Sequence, residues 1–102
     1  GQRVAYATCR APRAYSQFAA IEARYLVAVP DGIADEAAAA ALFKGLTAHY
    51  LLTRVFCVGE GSGILVHSAA GGAGQLIGQW ANSKGAMVLG TVDAEEKKEI
   101  AL

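Results

Sequence analysis

The 102-residue sequence has no net charge, because nine Lys and Arg balance nine Asp and Glu. Without a basic excess there is no electrostatic reason to expect nucleic acid or an acidic membrane surface as partner. Long apolar runs are also missing. The longest, Ala37–Phe43, has seven residues, far short of the roughly 20 that cross a bilayer. No basic segment followed by an apolar stretch opens the chain, so secretion has no support. The two cysteines, Cys9 and Cys57, lie 48 positions apart and form no CxxC. That spacing speaks against a disulfide framework and a cysteine metal site, and predicts two free thiols in a reducing compartment. No GxSxG, HExxH or Ser/His/Asp arrangement is present. His49 and His67 have no partner at metal-ligand spacing and read as packing or hydrogen-bonding residues. What the chain does have is a 54% hydrophobic composition and 12 glycines, seven of them between Gly59 and Gly78. The first supports a packed core, in one domain or part of a larger one. The second marks the place to look for a site.

The opening residues read as strands. Val4 and Tyr6 alternate with small or polar neighbours, Thr8–Arg13 reads as a loop around Pro12, and Tyr15, Phe18 and Ile21 suggest a second extended stretch. Tyr25–Val29 suggests a third. Val29-Pro30-Asp31-Gly32 has turn chemistry, with Pro presetting its own φ and Gly supplying a positive one. Then the period changes. Asp35 is the expected N-cap of a helix carried by Ala37–Phe43. Lys44-Gly45 is expected to interrupt it before a second helix over Leu46–Val55. Ile64-Leu65-Val66 and Met87-Val88-Leu89 read as parallel strands buried on both faces. Between them, residues 72–84 give the clearest helix, with Ala73, Leu76, Ile77, Trp80 and Ala81 on one stripe. Lys84 and Gly85 form its C-terminal stop. A further helix is expected from Glu95.

Strand 64–66, the turn Ala69-Ala70-Gly71-Gly72-Ala73-Gly74, helix 72–84 and strand 86–92 make one βαβ unit. The turn is a GxGxxG fingerprint whose first glycine is Ala69. Gly71 would let backbone approach a pyrophosphate, and Gly74 would let the helix pack closely on the strand. Free N–H groups at Gly72 and Ala73 point at whatever lies above them, and the helix dipole favours an anion there. The GK[ST] of a P-loop is absent. Asp93 lies 19 residues after Gly74, where dinucleotide folds place an acid on the ribose 2′-hydroxyl. Lys97, one helical turn on, would instead meet a 2′-phosphate, so the two residues pull cofactor choice in opposite directions.

Several motifs taken together are similar to the zeta-crystallin-like quinone oxidoreductases, of the zinc-free branch of the medium-chain dehydrogenase/reductase superfamily. They are Lys44-Gly45-Leu46-Thr47-Ala48-His49-Tyr50-Leu51-Leu52, Val66-His67-Ser68-Ala69-Ala70-Gly71-Gly72-Ala73-Gly74, Gln79-Trp80-Ala81 and Leu89-Gly90-Thr91-Val92. The likeness covers nearly the whole chain. It implies an α/β fold: the first βαβ of a Rossmann doubly wound parallel sheet, preceded by part of a β-rich GroES-like domain. Residues 1–43 would be the C-terminal part of that catalytic domain and a connecting helix. Residues 44–102 would open the NAD(P)-binding domain, as an internal part of a chain several hundred residues long.

The resemblance also implies an enzyme that transfers a hydride from NADPH, with NADH possible, to a quinone or another α,β-unsaturated carbonyl. Gly72 and Ala73 would sit on the pyrophosphate, with Gly71 and Gly74 beside them in the cofactor-binding turn. Thr47 and Tyr50 would lie on the cofactor side of the cleft, Thr47 close to the nicotinamide. Lys97 would meet the 2′-phosphate. Asp93 stands where the family usually has Gly or Ser. No side chain here is required as a catalytic acid or base, and no metal ligand is expected. The full-length protein would be a cytoplasmic homodimer without nucleic-acid or membrane partners. The alternatives are a nucleotide-binding structural or RNA-binding relative without turnover, and an S-adenosylmethionine-dependent methyltransferase. The latter also uses strand, glycine turn, helix and a distal acid.

Overall fold

A computed structural model describes residues 1–7 and 14–101. Cys9 and the loop around Pro12 lie outside the described residues. The chain divides into two compact units, Gly1–Phe43 and Lys44–Leu102.

In the first unit, β1 (Val4–Ala5) pairs antiparallel with β2 (Val27–Ala28), placing Val4 opposite Ala28 and Ala5 opposite Val27. The extended stretch expected through Tyr15, Phe18 and Ile21 is not a strand. Those residues recur every third position rather than every second, so no strand face can collect them. Tyr15 and Phe18 are exposed instead. The third expected stretch, Tyr25–Val29, narrows to β2 because Tyr25 ends a 3-10 turn, Ala23–Tyr25, closed by Leu26 N–H donating to Ala23 O at 3.0 Å. The proline turn forms at Pro30–Ile33, with Ile33 N–H donating to Pro30 O and Gly32 at φ +85°. Arg3 ties β1 to this turn and to the helix that follows. Its Nε donates to Asp35 Oδ1 at 3.0 Å and its Nη2 donates to Ile33 O.

Asp35 lies within the first turn of α1 (Asp35–Tyr50) rather than before it. The expected break at Lys44-Gly45 is absent, and α1 runs through it for 16 residues. A helical glycine costs only about 1 kcal/mol against alanine, and the alanine run ahead of it outweighs that. The chain then widens into a π-helical turn, Leu51–Val55, closed by Phe56 N–H donating to Leu51 O at 3.1 Å.

The second unit contains the βαβ. β3 (Gly63–His67) and β4 (Met87–Thr91) are parallel, with Ile64 beside Val88 and His67 beside Thr91. α2 (Gly72–Ser83) crosses between them. Leu52, Val58, Ala81 and Ala86 form the buried core, with Ile64, Ile77, Trp80 and Val88 packed against it. One face of the strand pair is thus covered. The other exposes Leu65 at 58%, Met87 at 65% and Leu89 at 58%, so within this chain the strands are not buried on both faces. α2 stops as expected. Gly85 at φ +78° donates to Asn82 O and Ala86 donates to Ala81 O, the two bonds of a Schellman motif. The helix from Glu95 begins as a 3-10 turn, Glu95–Lys97, and continues as α3 (Lys98–Ala101). No described helix is long and apolar enough to cross a membrane.

Candidate functional site

The site is built where β3 turns into α2. Ser68 takes a left-handed conformation at φ +55°, which swings the chain out of the strand. Gly71 N–H donates back to Ser68 O at 2.8 Å and closes the turn. Ala69 N–H donates to Thr91 O at 3.0 Å, fastening the turn to the end of β4. Gln75 reaches back from α2 and donates through Nε2 to Ala70 O at 2.7 Å. Below the turn, His67 Nδ1 lies 2.9 Å from Thr91 Oγ1, joining the strand ends.

The tightness explains the small residues. A β-carbon on Gly74 would overlap Ser68 O and lie 2.9 Å from Ala69 Cα. On Gly71 it would lie 3.1 Å from Ser68 O. Ala69, in the position of the fingerprint's first glycine, is accommodated because the β4 residue its methyl group faces is Gly90. A β-carbon there would lie 2.7 Å from Ala69 Cβ.

Gly71 is the extended residue before α2, and no side chain caps the helix. Gln75 N–H donates to Gly71 O at 2.9 Å, whereas the amides of Gly72, Ala73 and Gly74 precede the first intrahelical bond. They are donors aimed at the space above the turn, and the helix dipole adds partial positive charge. α2 has no acidic residue in its first turn to quench that field.

Beside this helix start lies a hollow of about 210 Å³ lined by Ser68, Ala70, Gly71, Val92, Asp93, Lys97 and Ile100. The structure therefore brings Gly71, Asp93 and Lys97 together. The two charged residues read as competitors are partners. Lys97 Nζ donates to both Asp93 oxygens, at 2.7 and 3.0 Å. That hydrogen bond, then the backbone N–H of Asp93 itself, then the Lys97 charge hold the Asp93 carboxyl below its ordinary value. Thr47 and Tyr50 lie three residues apart near the end of α1, one turn of a helix. Thr47 is half-buried and Tyr50 exposed. His49, between them, sets its ring 5.6 Å from the Trp80 ring on α2.

Two residues of the turn's surroundings had no assigned role in the sequence. Gly90 could only be read once the register of β4 was known. Lys44 lies 28 positions before Gly72 yet stretches along it: a β-carbon on Gly72 would be 2.7 Å from Lys44 Nζ. Among the described residues there is no cluster of three or more His, Cys, Asp or Glu side chains suited to a metal ion.

Comparison with known proteins gives a consistent result. No family model matches the chain. A quinone oxidoreductase of Pseudomonas aeruginosa is 46% identical over 101 residues, covering 99% of this chain and 31% of the relative. A 2-haloacrylate reductase of a Burkholderia species is 43% identical, with 99% of this chain and 31% of the relative covered. Among solved structures, the quinone oxidoreductase of Escherichia coli complexed with NADPH superposes with a TM-score of 0.92. It is 40% identical over 99% of this chain and 31% of that one. The chain thus spans about a third of the length of the relatives it matches, and its fold is theirs.

Proposed function

We propose, from the premise that this chain is related over its whole length to the quinone oxidoreductases, that its protein reduces quinones or other α,β-unsaturated carbonyls with a nicotinamide dinucleotide. The observation that carries this reading is the uncapped start of α2 with the Asp93–Lys97 hollow beside it. The donor set fits a dinucleotide. Free amides at Gly72, Ala73 and Gly74 suit its anionic centre, and Gly71 keeps the turn flat enough for close approach. Asp93 and Lys97 suit the adenosine ribose, where the carboxylate can accept from a 2′-hydroxyl and the ammonium can donate to a 2′-phosphate. Thr47 and Tyr50 are assigned to the cofactor side of the cleft, Thr47 close to the nicotinamide, on the family resemblance.

NADPH, when bound, supplies the hydride. The residues of this chain bind and orient; none is assigned as acid or base. Lys97 favours NADPH, and pairing with Asp93 leaves NADH usable. The breadth of the acceptor class follows from relatives named for quinones and for a haloacrylate, both electron-poor conjugated acceptors. The same reading takes the full-length protein as a cytoplasmic homodimer, on the family resemblance alone. No observation favours a binding protein without turnover or a methyltransferase. The test is oxidation of NADPH and NADH by the full-length protein across a panel of quinones and enones. Turnover with at least one acceptor is expected, and none with either nucleotide overturns the reading.

A further inference from the structure

Lys44 is a cation in an unfavourable place. Its stem and ammonium run along Gly72, so that a β-carbon there would meet Nζ at 2.7 Å and both Cδ and Cε at 2.8 Å. Gly72 is the first residue of α2, where the helix dipole presents positive partial charge. Lys44 is exposed, yet its stem and head lie along Gly72, beside the unpaired amide donors of α2 and with no acid in the helix's first turn. Arg3 is paired with Asp35, Arg24 with Glu22, Lys97 with Asp93 and Lys98 with Glu95. The side chains of Lys44, Arg54 and Lys84 have no ion pair among the described residues, and of these three it is Lys44 that lies along the first residue of α2. Positive charge gathered without a counter-ion is relieved by an anion bound between Nζ and the amides.

We propose that Lys44 is a pyrophosphate-holding residue. Its ammonium would complete the anion site whose other donors are the amides of Gly72, Ala73 and Gly74. The inference rests on the dinucleotide reading above, which stands on the relatives as well as on the helix start; the residue and its role are new. It also divides labour within the site. Lys97 belongs to the ribose end and should distinguish NADPH from NADH. Lys44 would hold the diphosphate common to both and should not distinguish them.

The test is equilibrium binding of NADPH, NADH and ADP to the full-length protein by fluorescence quenching, in wild type, Lys44→Gln and Lys44→Arg. Lys44→Gln is expected to weaken all three by a similar factor, roughly five- to tenfold for one charge-assisted contact open to solvent. It should also flatten the dependence of affinity on salt. Lys44→Arg should keep most of the affinity. Without ligand, Lys44→Gln should unfold at the same temperature as wild type or slightly higher, because a repelled charge has gone. A lower unfolding temperature with unchanged binding would make Lys44 a packing residue and overturn the proposal. Loss confined to NADPH would overturn it too, by moving Lys44 to the 2′-phosphate. If wild type binds no dinucleotide, the functional reading fails and this inference with it. If wild type binds and Lys44→Gln binds equally well, only the inference fails.

Discussion

Ala69 and Gly90 are fitted to each other across the end of the parallel strand pair. The methyl group of Ala69 fills the space that a side chain at position 90 would need, with 2.7 Å between the two β-carbons if Gly90 had one. The departure of the turn from GxGxxG is thereby compensated on the neighbouring strand. Gly90→Ala should push the turn off β4, breaking the bond from Ala69 N–H to Thr91 O. Overpacking of this kind costs about 1–3 kcal/mol. The double variant Ala69→Gly with Gly90→Ala should recover most of that loss, since it returns the methyl group to the other side of the same contact. Thermal unfolding of the three full-length variants measures the coupling. Additive losses would show that the contact does not govern either residue.

The two glycines at the start of α2 should respond differently to alanine. At Gly74 the new methyl group overlaps Ser68 O and crowds Ala69, all backbone. The turn has to move, and a loss at the upper end of about 1–3 kcal/mol is expected. At Gly72 the obstacle is the flexible end of Lys44, which can swing into solvent. Gly72→Ala should therefore fold with near-wild-type stability, and the unfolding midpoints of the two variants should separate clearly. Equal midpoints would contradict this account of the turn.

Much of the second unit was legible because its signals are local. A strand, a glycine turn, a helix closed by Lys84 and Gly85, and a second apolar strand follow one another within 30 residues, and each has its own chemistry. Other features depended on facts that no local pattern contains. The run through Tyr15, Phe18 and Ile21 looked extended by composition, but its three-residue spacing fits no strand face. Lys44-Gly45 looked like a break, yet the preceding alanines carry α1 through it. On α2 the stripe residues Ala73, Leu76, Ile77 and Trp80 are half-buried and Ala81 is buried, while the close approach to the turn is made by Gly74. A hydrophobic pattern marks residues that need burial; it does not mark the glycines that permit contact. The pairing of Asp93 with Lys97 was available from their i,i+4 spacing, but reading each against the cofactor separately concealed it.

The exposed strand face makes a prediction about the 102-residue chain on its own. Leu65, Met87 and Leu89 present one continuous apolar strip on β3 and β4. A sheet with such a face and unpaired edges attracts copies of itself. In light scattering the isolated chain should self-associate, and Leu65→Lys with Leu89→Lys should suppress that. A monodisperse wild-type monomer would show that the strip is harmless.

The Asp93–Lys97 pair sets a pH dependence with a definite sign. The folded Asp93 carboxyl lies below its ordinary value chiefly because Lys97 donates to it. A carboxylate depressed in the folded state contributes stability that is fully present above its unfolded value, about 3.9. That contribution fades as pH falls through the lower folded value. Both side chains are solvent-exposed, so the effect on global stability is small. The carboxyl itself is the better reporter. Its carbon-13 titration by NMR should move upward in Lys97→Ala, and an unchanged titration would mean the pair is not formed in solution.

The same pair governs cofactor choice. A 2′-phosphate entering the hollow must draw Lys97 away from Asp93, whose carboxylate repels the phosphate and competes for the ammonium. The 2′-hydroxyl of NADH meets no such competition and can donate to Asp93 directly. Removing the lysine should therefore hurt NADPH more than NADH, and removing the acid should help NADPH alone. Both groups are open to water, Lys97 at 44% and Asp93 at 78% exposure, so screening keeps each change to roughly two- to fivefold. The measurement is the ratio of kcat/KM for NADPH over NADH in the full-length protein. It should fall in Lys97→Ala, rise in Asp93→Gly, and change less in either variant at high salt. The double variant should lie close to wild type, since the opposing charges leave together. If Asp93→Gly lowers the ratio, the carboxylate is acting as a clamp that positions Lys97 for the phosphate, and the competition argued here is wrong.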